Sequence, residues 1–160
     1  SMKAYKKKLV IFSRERYKKK AAKHTIVLDK DTSDWSWNDN LTRVYTGGYA
    51  VYTKKKKKIR IRVGTSSCIY KLTEAGDSAA DTKRKLTAAV NNANHGKTTL
   101  SLTIMGDTTY AASQCINITG AGSKINGKYY IDSIEHKLSG SGGYEMSLSL
   151  SKVYTPVGVV

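Results

Sequence analysis

No run of about 18 apolar residues occurs in this sequence, so no transmembrane helix is expected. The stretch Leu9-Val10-Ile11-Phe12, behind a basic start, is too short for a signal-peptide core. A chain made and folded in a cytoplasm is therefore expected. Proline occurs once, at Pro156, and phenylalanine once, whereas tyrosine occurs 11 times. Tyrosine suits strands and half-buried sites with one wet end. Together with abundant Gly, Ser and Thr this reads as a β-rich chain with many turns. Cys68 and Cys115 are the two cysteines. They form no CxxC and stand far apart, so they read as reduced thiols in or near a core, and a disulfide forms only if the fold brings them together. His24, His95 and His136 are isolated, and no HxH or HExxH is present. Neither a metal site nor an acid–base centre is expected from them.

Acids are also scarce: 12 Asp and Glu stand against 28 Lys and Arg, a formal charge of +16. The excess lies early. Residues 3–23 carry ten Lys or Arg against Glu15 alone, and residues 54–62 carry seven more: Lys54, Lys55, Lys56, Lys57, Lys58, Arg60 and Arg62. From Lys97 onward the charges nearly balance. Such asymmetry points to an acidic partner, a nucleic acid or a solubilising surface.

Hydrophobic periodicity predicts strands over 5–12 and 24–28, then a polar, turn-rich stretch over 29–40. Ile59, Ile61 and Val63 alternate with Arg60 and Arg62, as in a half-buried strand. Residues 49–52 and 59–63 are expected to pair as a hairpin with the lysines at its tip. One helix is expected to start at Asp77-Ser78, with Ser78 and Asp81 as a capping box, and to end at Asn94-His95-Gly96. Ala79, Leu86, Val90 and Ala93 would share its buried face. Beyond it the alternation Leu100, Leu102, Ile104, then Ile116, Ile118, then Tyr144, Met146, Leu148, Leu150 is β throughout. Asn126-Gly127 is the strongest hairpin-turn dipeptide, and a register shift between Ile131 and Ile134 suggests a bulge.

Two motif-like stretches fail on chemistry. Asp29, Asp31 and Asp34 imitate a calcium loop but lack the Gly at the sixth place and the Glu at the twelfth. Gly122 to Lys128 has phosphate-loop spacing, but Tyr129 stands where Ser or Thr would ligate magnesium, and no helix follows.

Residues 35–153, most strongly from 97 onward, resemble the C-terminal region of the phage late-control-D, or contractile-tail hub, family. The resemblance rests on TLSLTIMGD at 99–107, ASQCINITGAG at 112–122, INGKYYIDSIEHKL at 125–138 and GGYEMSLSLSKV at 142–153, with LTRVYTGGYAVY at 41–52 as a weaker match. Ser113 departs from a frequent Gly, and Asn126 from a common Asp. Gly127, Tyr129, Tyr130, Ile131, His136, Gly143 and Tyr144 carry the family-like motif, as fold-making residues. Asn126-Gly127 would make the turn, Tyr129, Ile131, Ile134 and Leu138 would supply core, and His136 would order the hairpin through a hydrogen bond.

The resemblance implies a non-enzymatic baseplate hub component joining tail tube to central spike in a phage or phage-like tail. Tube, spike, tape-measure and baseplate wedge proteins would be its partners, it would form a homotrimer in the particle, and it would assemble in the bacterial cytoplasm. Full members are longer than 160 residues, so this chain corresponds to their C-terminal part. No cofactor, metal or membrane is implied. A basic nucleic-acid-binding module is the alternative, and a cell-wall hydrolase fragment a weaker one. The expected fold is mainly β with one inserted helix, as small barrel-like or rolled antiparallel sheets. The expected divisions are a basic β-rich subdomain over 1–70, a helix-plus-sheet subdomain over 71–154 and a frayed tail over 155–160. The lysine run with Arg60 and Arg62 is the candidate interaction surface.

Overall fold

The computed structural model describes residues 2–5, 7–40, 42 and 44–158, except the side chains of 3–5. In chain order the elements are β1 (Met2–Tyr5), β2 (Lys8–Ile11), α1 (Arg14–Lys18), β3 (His24–Val27), β4 (Thr32–Asp39), β5 (Gly47–Lys54), β6 (Lys57–Gly64), β7 (Ile69–Leu72), α2 (Ala79–Ala93), β8 (Thr98–Met105), β9 (Cys115–Thr119), β10 (Gly127–Ser139) and β11 (Gly143–Lys152). Strand accounts for 48% of the chain, which is the mainly β fold with an inserted helix that the periodicity indicates. Two compact units form, one from Ser1–Asp39 and Thr98–Val153, the other from Asn40–Lys97 and Tyr154–Val160. This differs from the sequential division at residue 70. The second unit is spliced into the first between two strands that pair with each other, β4 and β8, whose ladder ends at Asp39 opposite Thr98.

The first unit is built on a six-stranded sheet in the order β3-β9-β10-β11-β8-β4. Its edge strands β3 and β4 are consecutive in sequence and joined only by residues 28–31. A flat six-stranded sheet is about 24 Å wide, whereas four extended residues reach about 14 Å. The sheet therefore curls into a half-barrel. Asp29 and Asp31 tie the short crossing: Trp35 Nε1 donates to Asp29 Oδ1 at 2.6 Å, and the Val27 N–H to Asp31 Oδ2 at 2.8 Å. Two of the three calcium-like acids thus hold a turn, and the third, Asp34, lies in β4. The stretch 29–40, expected to be irregular, contains the eight-residue β4. Trp35 and Trp37 alternate with polar residues there and pack on the core, a period of two hidden among turn-forming residue types.

Inward-facing Leu100, Leu102, Ile116, Ile118, Tyr129, Ile131, Met146, Leu148 and Leu150 are each at most 2% exposed. The bulge falls at Asp132: Ile131 faces Leu150 and Ser133 faces Ser149, with Asp132 as the extra residue between them. Its carboxylate accepts from the Ser151 hydroxyl. Asn126-Gly127 does not form a two-residue turn. It closes a loop over 120–126, in which Asn126 Oδ1 accepts from the Ala121 N–H at 3.0 Å, and Gly127 at φ 140° opens β10. Leu138, expected in the core, is 81% exposed, because β10 runs past the covered part of the barrel.

Ahead of the half-barrel, β1 and β2 form a separate hairpin. Lys7, at φ 61°, lies in its turn, so residues 5–12 are not one strand; Lys6 lies outside the described residues. Helix α1 is capped by Ser13, whose Oγ accepts from the Arg16 N–H at 3.4 Å.

The second unit is a three-stranded sheet, order β6-β5-β7, with α2 laid on one face. Ser78 caps α2, its Oγ accepting from the Asp81 N–H at 3.1 Å. Thr82, Leu86 and Val90 form the buried stripe. Ala79 and Ala93, expected on that face, are exposed, since the contact follows a strict spacing of four. The helix sits close because Gly48 has no side chain: a Cβ there would lie 2.8 Å from Val90 Cγ2 and 3.0 Å from Leu86 Cδ1. In the C-terminal tail the Val157 N–H donates to Asn91 Oδ1 at 2.7 Å and the Val157 carbonyl accepts from Asn91 Nδ2 at 3.0 Å. Leu41, Arg43, Val159 and Val160 lie outside the described residues.

Candidate interaction surface

β5 and β6 pair in an unbroken antiparallel register from Gly47–Gly64 to Lys54–Lys57. The loop between them is two residues, Lys55 and Lys56, at φ 46° and 66°. Positive φ at both places defines the type I′ turn that suits the strand twist and normally takes Asn-Gly. Here lysines occupy it, against a penalty of roughly 1–2 kcal/mol per residue for left-handed backbone.

Alternation sorts the side chains to two faces. Ala50 and Val63 face α2 and are buried, with Ile61 half-buried beside them. The opposite face carries Tyr49, Val51 and Thr53 across from Arg62, Arg60 and Lys58. β7 lies parallel to β5 on its other side and places Lys71 next to Tyr49. Arg60 lies over the Tyr49 ring, 4.9 Å from its centre, a cation–π contact that aligns the guanidinium along the sheet. Val51 and Ile69, at 39% and 46% exposed, stand among these cations. Among the described residues, none of Lys54, Lys55, Lys56, Lys57, Lys58, Arg60 or Arg62 enters an ion pair; the pairs present are Lys18–Glu15, Arg84–Asp81 and Lys85–Asp81. The expected surface residues thus lie on one hairpin, with Lys71, Tyr49 and Val51 joining them. Lys71 was not legible in the sequence, because a parallel β5–β7 pairing across a 14-residue connection leaves no local signal.

The family-like motif residues lie in the other unit. Tyr129, Tyr130 and Ile131 are buried in β10, and the Tyr129 hydroxyl donates to the Ile125 carbonyl at 2.7 Å. Burial pushes the Tyr130 phenol above its ordinary pKa, which keeps it neutral. His136 Nδ1 and the Tyr144 hydroxyl are 2.8 Å apart, with their rings stacked, joining β10 to β11 near the hairpin turn. Gly143, at φ 74°, reverses the chain there, and the Gly142 N–H donates to Ser139 Oγ at 2.9 Å. His24 stacks on Tyr110 with ring centres 4.2 Å apart. Among the described residues no three His, Cys, Asp or Glu converge as metal ligands. Cys68 is exposed rather than near a core, and Cys115 is buried; both are free thiols.

The fold recurs in solved tail proteins, one of them from a prophage, and in a gene transfer agent particle. A tail protein from Neisseria meningitidis MC58 superposes with a TM-score of 0.65 at 9% identity, over 83% of this chain and 45% of that one. The 43 kDa tail protein of prophage MuSo2 from Shewanella oneidensis gives 0.65 at 8% identity, over 81% and 43%. A chain of the virion of a native gene transfer agent particle gives 0.55 at 10%, over 88% and 34%. This chain thus spans less than half the length of each. The YQBQ-like family model matches residues 42–151, more than half of the sequence, and the chain belongs to that family. No curated protein matches.

Proposed function

We propose that this chain is a structural component of a phage-type tail, and more narrowly part of the baseplate hub of a contractile tail, joining tube to central spike. It acts by assembly and carries out no chemistry. The observation that supports the tail role is the fold itself, a half-barrel with an inserted sheet and helix, which recurs in two solved tail proteins over most of this chain. The hub position draws on the late-control-D resemblance of residues 97–153. In this reading the chain stands in a trimer within the particle, assembled in the bacterial cytoplasm, and the hairpin meets tube, spike, tape-measure or wedge protein. Co-purification with the neighbouring tail proteins at rising salt tests it. The expected result is a complex that weakens with salt and weakens further when residues 54–58 are changed to Ser. Absence of any complex, together with a monomeric mass at every concentration, would overturn it. Nucleic-acid binding is less well supported, because Arg60 already covers the Tyr49 ring that a base would stack on.

A further inference from the structure

β6 is an edge strand. It pairs with β5 on one side, and among the described residues no element hydrogen-bonds to its other side. At eight residues, Lys57–Gly64, it is long for an edge strand, and its lysines and arginines guard it against a like-charged strand rather than an acidic one. Alternate backbone N–H and C=O groups therefore face outward as a ready ladder. Its side chains alternate as well: Lys58, Arg60 and Arg62 on one face, Ile59 and Ile61 on the other, with Ile59 41% exposed.

We infer that β6 takes up an extended, alternately acidic and apolar segment of another tail protein as a fourth strand. Main-chain hydrogen bonds to an edge supply affinity without sequence choice, and side chains at alternate positions supply specificity. A strand laid along β6 sets its own same-face side chains opposite Arg62, Arg60 and Lys58, at a cross-strand spacing of about 5 Å. Carboxylates at every second position would meet all three cations in register, and the intervening apolar residues would continue the surface of Ile59 and Ile61. A second copy of β6 is a poor occupant, because it would bring like charges directly opposite one another. The turn supports the same conclusion. Lys55 and Lys56 hold left-handed backbone where Asn-Gly would be relaxed, so the hairpin keeps cationic charge at the mouth of the edge at the expense of its own stability.

The inference names the partner chemistry of the surface proposed above and rests on that surface being presented in the particle. The test uses the intact chain and a labelled peptide that alternates glutamate with valine. A peptide with the same residues in two blocks and a short single-stranded DNA serve as competitors. Expected are salt-sensitive binding of the alternating peptide, slowed amide exchange along β6, and roughly tenfold weaker binding for Arg60→Ser with Arg62→Ser. No binding, binding without slowed exchange in β6, or equal binding of the blocked peptide would overturn strand addition. Tighter binding of the DNA would overturn it in favour of a phosphate-binding face. Because assembly is not involved, any of these failures leaves the tail assignment standing.

Discussion

Among the described residues, the core cluster of the half-barrel joins twelve buried apolar side chains, from Ile26 to Leu150, whereas that of the inserted unit joins four: Ala50, Val63, Leu86 and Val90. The charges run the other way. Residues 40–97 hold thirteen Lys or Arg against Glu74, Asp77 and Asp81, while residues 98–153 hold four of each sign. Burial scales with the apolar area removed from water, at roughly 25 cal/mol per Å², and concentrated like charge opposes compaction. One unit therefore has the means to be rigid, and the other presents charge on a scaffold with little reserve. In the proposed tail role this would separate a rigid scaffold from the charged face offered to a partner.

The largest effect is expected where the big core is cut. Tyr129 is fully buried, and its hydroxyl is bonded to the Ile125 carbonyl. Tyr129→Ala should destabilise the chain by about 3–5 kcal/mol, read as a lower urea midpoint. A loss below about 1 kcal/mol would mean that the half-barrel core is looser than its burial indicates.

Gly48→Ala probes the smaller core. The added methyl meets Val90 and Leu86 at 2.8 and 3.0 Å, and the Tyr70 carbonyl at 2.9 Å. Overpacking of this kind costs about 1–3 kcal/mol. Amides of α2 should lose exchange protection while those of β8 and β11 keep theirs. Equal loss in both units would break the comparison, showing that they open together.

Cysteine labelling sharpens it further. Cys115 is 2% exposed, and burial raises its thiol pKa, so both access and thiolate content are low. Cys68 is exposed in the other unit. One equivalent of alkylating reagent at neutral pH should modify Cys68 first and Cys115 only on opening of the half-barrel. Tyr129→Ala should speed the second reaction and leave the first unchanged.

What the sequence made legible follows from the range of the interactions. The α2 cap, the β5–β6 hairpin, the bulge after Ile131 and the alternation of β8 and β11 are written in neighbouring residues. The missing β4 is instructive: Asp, Ser and Asn between Trp35 and Trp37 imitate a loop, and only pairing with β8 makes them a strand. The parallel pairs β3–β9 and β5–β7 join residues far apart and leave no local trace. The same holds for the surface. Its lysines were readable as a run, but Lys71 and the cation over Tyr49 required the fold, as did the knowledge that β6 is an edge.

The smallest expected change has the opposite sign. Lys55→Asn with Lys56→Gly places the preferred type I′ residues at the two left-handed positions, φ 46° and 66°. Relief of backbone strain should stabilise the hairpin by about 1–2 kcal/mol, partly offset because Gly also loosens the unfolded chain. Removing two of five adjacent lysines lessens repulsion at the tip and adds to the gain. The midpoint in urea should rise with an unchanged slope, while capture of an acidic peptide weakens. Stability and binding would then move apart, which identifies the lysines as retained for charge rather than for the turn. If the substituted hairpin is no more stable, the left-handed lysines carry no strain, and the turn ceases to argue for a function.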